Sequence, residues 1–347
     1  MASRDPIADL KRIAYLLERA HEKTYRVRAF RSAAAAVGKL SEDDLAARAK
    51  AGTLTELSGI GDVAARCIAE SLAGELPVYL RRLESTEGHD LDEDTANLLA
   101  ALRGDCHTHS DWSDGGSPIE EMALAAIELG HDYMVLTDHS PRLTVARGLS
   151  ADRLREQLDV VAALNEKLAE LPLKKPFRLL TGIEVDILAD GSLDQTDELL
   201  ERLDVVVGSV HSSLRDESAV MTRRMVTALG NPHLDILGHC TGRLITGGRG
   251  TRKESEFDPD AVFGAAVEHD KAIEINSRPE RLDPPKRLLR RALEAGCRFT
   301  IDTDAHAPGQ LDWLPNGCSR AVACGVPTDK ILNTLSADEL VAWAATH

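Results

Sequence analysis

Three things are missing from this chain, and each absence narrows what it can be. Its six cysteines, Cys67, Cys106, Cys240, Cys297, Cys318 and Cys324, include no Cys-x-x-Cys pair and no framework spacing. A disulfide scaffold or cysteine-built zinc module is therefore not expected, and reduced, mostly buried thiols are. No apolar run reaches the roughly 18 residues that a membrane-spanning helix needs, and Met1 to Pro6 lacks the apolar stretch of a signal peptide. The expected location is the cytoplasm, with no membrane partner. There is also no Ser-His-Asp set and no glycine-rich phosphate loop, so a nucleophile has to come from elsewhere.

What is present is ordinary in bulk and uneven in detail. The 347 residues are 43% hydrophobic and 28% charged, which fits one large core plus a small domain. The net charge of -16 is not shared equally: residues 1 to 88 carry 14 basic against 13 acidic side chains, and the remainder 27 against 44. The acidic body would repel a long polyanion, so any grip on nucleic acid is local or comes from the N-terminal part.

Near the N-terminus, Asp5 and Pro6 read as a helix start, followed by Ile7, Leu10, Ile13, Ala14 and Leu17 at helical spacing. A second helix is expected over about 26 to 40, and Ser41 with Asp44 reads as a capping box opening a third. The stretch Leu54 to Ile68, with Gly59-Ile60-Gly61 at its centre, reads as a short helix, a tight turn and a second helix. The glycines bring backbone N–H groups and a helix N-terminus close to a phosphate, so Gly59, Ile60 and Gly61 are the candidate DNA contacts, to backbone without sequence readout.

The larger part is organised around His107-Thr108-His109. Successive strand side chains alternate faces, so His107 and His109 project together and Cys106 is expected on the other side. Ionisable residues recur after later apolar runs: Asp138 and His139, Glu184, His211, His239, Asp304 and His306. Candidate strands are Asp105 to His109, Tyr133 to Thr137, Arg178 to Val185, Val205 to Val210, Asp235 to Gly238, Ala272 to Asn276 and Arg298 to Asp302, with helical segments between. Such alternation implies parallel strands and most simply a barrel, whose chemistry sits at the C-terminal strand ends. His21, His89, His131, His233, His269 and His347 fall elsewhere and are expected to be surface or packing histidines.

Residues 1 to about 85 resemble the small N-terminal domain of family X DNA polymerases, on the Leu-x-x-Leu-x-Gly-Ile-Gly-x-x-x-Ala pattern and Tyr25 to Phe30. The positions of that family's lysines fall on Val63 and Cys67. A thiol forms no imine, so no deoxyribose-phosphate lyase activity is expected. Residues 103 to about 345 resemble the polymerase and histidinol phosphatase (PHP) domain, on His107-Thr-His109-Ser with Ser113-Asp114-Gly115, Thr137-Asp138-His139-Ser140, Gly182-Ile-Glu184, His211, Gly238-His239, Glu274-Ile-Asn276 and Asp302-Thr-Asp304-Ala-His306. The resemblance implies an α/β fold, a distorted seven-stranded (β/α)7 barrel, behind a small all-α helix-hairpin-helix domain. The expected divisions are 1–85, a linker at 86–102, and 103–347; no polymerase palm fits between them.

The resemblance further implies three divalent ions, Zn, Mn or Fe. His107, His109, Glu184 and Asp304 would hold one; Glu184, His211 and His239 a second; Asp114, His139 and His306 a third. A nitrogen and oxygen donor set suits these metals, and phosphoester hydrolysis by metal-bound hydroxide is the reaction such a site serves. Asp138 and Asp186 are candidates for orienting the ligands. Glu184, Asp304, Arg243 and Arg278 are the residues expected to carry catalysis, the two arginines by meeting the substrate phosphate. Arg249 and Arg252 belong either to that contact or to a solvated loop, and Lys286, Arg287, Arg290 and Arg291 are expected on a solvated helix face. The implied activity is hydrolysis of DNA phosphodiesters, as a 3'-5' exonuclease or in 3'-end or abasic-site processing, with a separate polymerase as a possible partner. The alternatives are a histidinol-phosphatase-type enzyme acting on a phosphorylated small molecule and a non-catalytic DNA-binding accessory module.

Overall fold

The computed structural model describes residues 4–85, 88, 90–247 and 250–346. The expectations for His89, Arg249 and His347 therefore lie outside the described residues. Residues 1–90 and 91–347 form two compact units, and no helix is long and apolar enough to cross a membrane.

The first unit is helical: α1 (Pro6–Arg19), α2 (Thr24–Val37), α3 (Glu42–Ala51), α4 (Asp62–Leu72) and α5 (Val78–Glu84). The Asp5 side chain accepts from the Ile7 N–H at 2.8 Å and fixes the start of α1. The apolar stripe of α1, Leu10, Ile13, Ala14 and Leu17, is buried with Phe30, Ala33, Leu45 and Ile68. The first arm of the expected hairpin is a single 3-10 turn, Leu54–Glu56. Gly59 follows with φ 91°, and a Cβ there would lie 3.4 Å from Ser32. Ile60 is buried at 4% exposure while Gly59 and Gly61 face solvent, so the isoleucine anchors the turn and leaves its backbone presented. Cys67 lies in the core, and burial, with Glu70 beside it, pushes its thiol up to about 11.

The second unit is a parallel barrel of β1 (Gly104–Thr108), β2 (Tyr133–Leu136), β3 (Arg178–Asp186), β4 (Val205–Ser209), β5 (Ile236–Leu237), β6 (Ala272–Asn276) and β7 (Arg298–Asp302), paired in chain order. Helix α6 (Glu93–Ala101) precedes it. Between successive strands run α7 (Ile119–Glu128), α8 (Ala151–Glu170), α9 (Asp197–Leu200), α10 (Ser218–Leu229), α11 (Pro259–Glu268) and α12 (Lys286–Ala295). Helices α13 (Leu314–Cys324) and α14 (Ala337–Ala344) follow β7.

Register assigns the two faces. Glu184 pairs with Val207, Val207 with Ile236, Ile236 with Ala272, and Glu274 with Thr300, so these residues share the inward face. The outward set, including Ile183, Val206, Ile273, Ile275, Phe299 and Ile301, packs with helix residues such as Phe263 and Leu289. Along the inward stripe the chemistry changes midway. Tyr133, Val135, Leu180, Val205 and Ile236 form an apolar plug, closed from below by Leu332, Leu340 and Trp343. Nearer the C-terminal strand ends the same stripe carries Glu184, Glu274, Asn276 and Asp302.

Barrel closure is irregular. β1 and β7 meet through the Thr108–Ala305 bridge, while Asn333 occupies the seam below it. Its amide donates to the carbonyls of Gly104 (3.1 Å) and Ile301 (3.0 Å) and to Asp302 Oδ1 (3.0 Å), and its oxygen accepts from the Ile301 N–H at 2.7 Å. A side chain from the C-terminal segment thus satisfies main-chain groups that a regular ladder would have paired.

Candidate metal centre

The expected alternation fails within β1. Asp105 pairs with Met134 but Thr108 pairs with Leu136, so β1 carries one extra residue there. Cys106 and His107, adjacent in sequence, therefore both face inward: Cys106 packs with Tyr133 and Val135, and His107 reaches Glu274. The expectation that Cys106 turns to the opposite face is corrected by this bulge. Burial, then Asp302 and Asp105, raise its thiol well above the usual range, and no candidate metal group among the described residues contains it.

Around Glu184, which is 1% exposed, the histidines converge. His239 Nε2 and His211 Nε2 stand 2.9 and 3.2 Å from Oε1. His139 Nδ1, His107 Nε2 and His109 Nε2 stand 2.8, 3.4 and 3.5 Å from Oε2. Asp304 Oδ1 lies 3.4 Å from His109 Nε2. Asp114 Oδ1 lies 3.4 Å from His139 Nε2 and 3.3 Å from His306 Nε2. All nine expected ligand residues are brought to one place. Three overlapping groups could each hold an ion: His109, Asp114, His139 and His306; His107, His109 and Asp304; and His139, Glu184 and His211. His109 and His139 are shared between groups, a more interlaced division than the family resemblance implies. His21, His131, His233 and His269 belong to none of these groups.

Metal ions fit these residues. His107 Nε2, His109 Nε2, His139 Nδ1 and both oxygens of Glu184 are buried without a hydrogen-bond partner among the described residues, despite standing 2.8–3.5 Å from opposite polar atoms. Such close, badly angled contacts are poor hydrogen bonds; lone pairs aimed at common points are what a cation needs. The electrostatics agree. Burial alone would raise the Glu184 carboxyl, but His211, His107 and His139 hold it well below its ordinary range. Burial would lower His139, yet Glu184 and Asp114 raise it to about 10. His109, with burial first and His306 and His139 next, falls to about 3.

Orientation comes from groups beneath the cluster. Glu274 Oε1 contacts His107 Nδ1 at 2.6 Å and its Oε2 accepts from the His239 N–H at 2.5 Å, leaving His107 Nε2 turned toward Glu184. Glu274 was absent from the sequence-derived site, although its alternation with inward Ala272 and Asn276 was there to be read. Asp186 lies 3.4 Å from His211 Nδ1. Asp138 accepts from Ser110 N–H (2.8 Å), Ser110 Oγ (2.6 Å), Ser113 Oγ and Gln157 Nε2 (2.7 Å), and so ties down the loop that leads to Asp114. Arg147 donates to the carbonyls of Asp111 (2.9 Å) and Ser113, and Arg153 to that of Trp112. Three successive carbonyls before Asp114 are thereby held by two guanidinium groups, for which no sequence signal existed.

The two expected arginines differ. Arg278 is at the cluster: Nη1 lies 3.1 Å from both the Asp304 carbonyl and His306 Nδ1, and Nε donates to Glu280 at 2.6 Å. Arg243 instead donates to the carbonyls of Arg281 (3.0 Å) and Leu282 and stands 3.4 Å from Glu254; it braces the neighbouring loop. Arg281, not singled out from sequence, has its Nε 3.2 Å from Asp304 Oδ2. Arg252 Nε donates to the Gly242 carbonyl at 2.6 Å.

A parallel barrel that gathers histidines and carboxylates at its C-terminal strand ends defines a metal-dependent hydrolase of phosphoesters. Residues 105–278 match the PHP domain, and the chain belongs to that family; residues 1–75 match a helix-hairpin-helix domain. A relative described as DNA polymerase/3'-5' exonuclease PolX, from Bacillus subtilis (strain 168), is 41% identical over 245 residues, 71% of this chain. The chain spans 41% of that relative's length. A probable phosphatase of Thermoanaerobacter sp. (strain X514) is 27% identical over 241 residues, covering 66% of this chain and 89% of the relative. The crystal structure of histidinol phosphate phosphatase from Lactococcus lactis subsp. lactis aligns with TM-score 0.45 and 18% identity, covering 71% of this chain and 95% of that one.

Proposed function

We propose that this chain hydrolyses DNA phosphodiesters at or near a 3' end, as a 3'-5' exonuclease or in 3'-end or abasic-site processing. The observation that carries this reading is the pairing, in one chain, of a PHP unit 41% identical to a 3'-5' exonuclease relative with an N-terminal helix-hairpin-helix match.

In this reading His107, His109, Glu184 and Asp304 hold one divalent ion, Glu184, His211 and His239 a second, and Asp114, His139 and His306 a third, with Zn, Mn or Fe as the metal. Ions so held would make a coordinated water acidic and neutralise charge on the phosphoryl and leaving oxygens. The chain's own residues do the rest. Glu274 keeps His107 turned by engaging its Nδ1. Arg278, beside His306 and Asp304, offers a guanidinium that stays charged and can donate to a phosphate oxygen; Glu280 keeps it from turning away. Arg281 fixes the rotamer of Asp304, whose backbone sits at φ 53°. The hairpin contributes the grip: α4 starts at Asp62 behind Gly61, whose position makes no side-chain cap, leaving its first N–H groups for a backbone phosphate.

The test is cleavage of a 5'-labelled single-stranded oligonucleotide with Mn or Zn, alongside p-nitrophenyl phosphate, with His107→Ala as control. A ladder of shortened products that the variant does not make is expected; turnover of the phosphomonoester alone would overturn the nuclease reading. The second reading, a phosphatase acting on a phosphorylated small molecule, is favoured by one observation: this chain covers 89% of the probable phosphatase relative.

A further inference from the structure

A cleft of about 680 Å³ lies between the loop after β5 and the starts of α10, α11 and α12. Those elements follow the C-terminal ends of β4, β5 and β6, the same end of the barrel as the ligand cluster. Its wall is joined to the cluster by a short chain: Arg243 donates to the Arg281 carbonyl at 3.0 Å, and Arg281 stands 3.2 Å from Asp304.

The cleft's charge runs against that of its unit. Residues 91–347 carry 27 basic against 43 acidic side chains, whereas the cleft is lined by Arg243, Arg252, Lys253 and Arg287 against Glu254 and Glu256. Arg243 and Arg252 are held by main-chain carbonyls, which fix a guanidinium without cancelling its charge. Glu254 compensates part of the charge by pairing with Arg287 and Arg243. Lys253 is exposed and Arg287 is exposed over 64% of its side chain, so both can swing to a ligand. Ile245, 46% exposed, supplies apolar surface at the cleft on which a sugar or base can rest.

We infer that this cleft holds the single strand flanking the bond to be cut, gripping its phosphodiester backbone with Lys253 and Arg287. This rests on the nuclease reading above and adds to it where the polyanion lies on an otherwise acidic unit. It also assigns work to residues of α12 that by sequence belong to a solvated face.

The experiment compares the full-length, metal-loaded protein with its Lys253→Glu/Arg287→Glu variant on a 5'-labelled single-stranded oligonucleotide and on p-nitrophenyl phosphate, across a salt series. The oligonucleotide KM should rise about tenfold, and its salt slope should fall by about 1.4, two phosphate contacts at roughly 0.7 each on a single strand. Phosphomonoester turnover should not change. Unchanged oligonucleotide KM and slope, or a parallel loss on both substrates, would overturn the inference while leaving the nuclease reading intact. Anisotropy of a phosphorothioate version of the same oligonucleotide, which resists cleavage, on the metal-loaded proteins reads the cleft directly: equal affinity of the two proteins sinks the inference, and failure of the wild type to cleave the unmodified oligonucleotide sinks the nuclease reading alone. Lys253→Gln gives a milder change in the same direction.

Discussion

The two units present their chemistry in opposite ways. The hairpin unit offers main chain: Gly59 and Gly61 are exposed and buried Ile60 anchors the turn between them. The barrel unit offers side chains: Glu184, Asp304, His107, His109 and His239 are each at most 2% exposed and depend on supports such as Glu274 and Arg281. A backbone site asks for one conformation, which few residues fix and many sequences can surround. A buried side-chain site asks for each donor and each support, and loses function with any of them.

That difference can be broken from the barrel side first. Replacing Glu184 by Gln removes the carboxylate shared by five histidines and should cut turnover by about a thousandfold, as expected for losing several kcal/mol of charge stabilisation. Bound metal, counted by elemental analysis, should fall with it; full metal content and activity would remove Glu184 from the centre. Next, Glu274→Ala frees the His107 ring and unties the His239 N–H, so metal affinity should weaken about 10- to 100-fold, read by titration with a chelator competitor. Retained affinity would show that strand geometry alone orients His107.

Smaller effects are expected where support is indirect. Arg147→Ala releases the carbonyls of Asp111 and Ser113 and should lower affinity for the weakest-bound ion about tenfold, while Asp114→Asn sets the full loss of that ligand. If Asp114→Asn weakens this ion and Arg147→Ala does not, the loop needs no clamp. On the hairpin side, Gly59→Ala places a Cβ at φ 91° at a cost of about 1–2 kcal/mol. DNA affinity should fall a few-fold with p-nitrophenyl phosphate turnover unchanged. A matching loss on the phosphomonoester would contradict the division of labour between backbone and side chains.

Much of this was legible because the pattern repeats. Apart from Asp114, each candidate ligand lies in or just after a run read as a strand, and the strands lie within a residue or two of where those runs placed them. Glu274 is legible as part of the Glu274-Ile-Asn276 motif, two residues from inward Ala272 and Asn276, but nothing in that motif says that its carboxylate supports His107 and His239. Cys106 could not be read correctly, because alternation predicts faces only while register holds, and the extra residue in β1 depends on its partners. Arg243 and Arg278 looked alike in sequence; one braces a loop and the other meets His306 and Asp304.

By itself the sequence determined the class of ligands, the order of strands, the helical hairpin and the uneven charge, since each is a property of residue type and spacing along the chain. Only the tertiary structure decided how His109 and His139 fall between groups that could hold an ion, which arginine reaches the cluster, how Asn333 closes the seam, and where basic side chains gather on an acidic unit. Those depend on distances between residues far apart in the chain, and a distance of 3 Å across a barrel leaves no mark on local spacing.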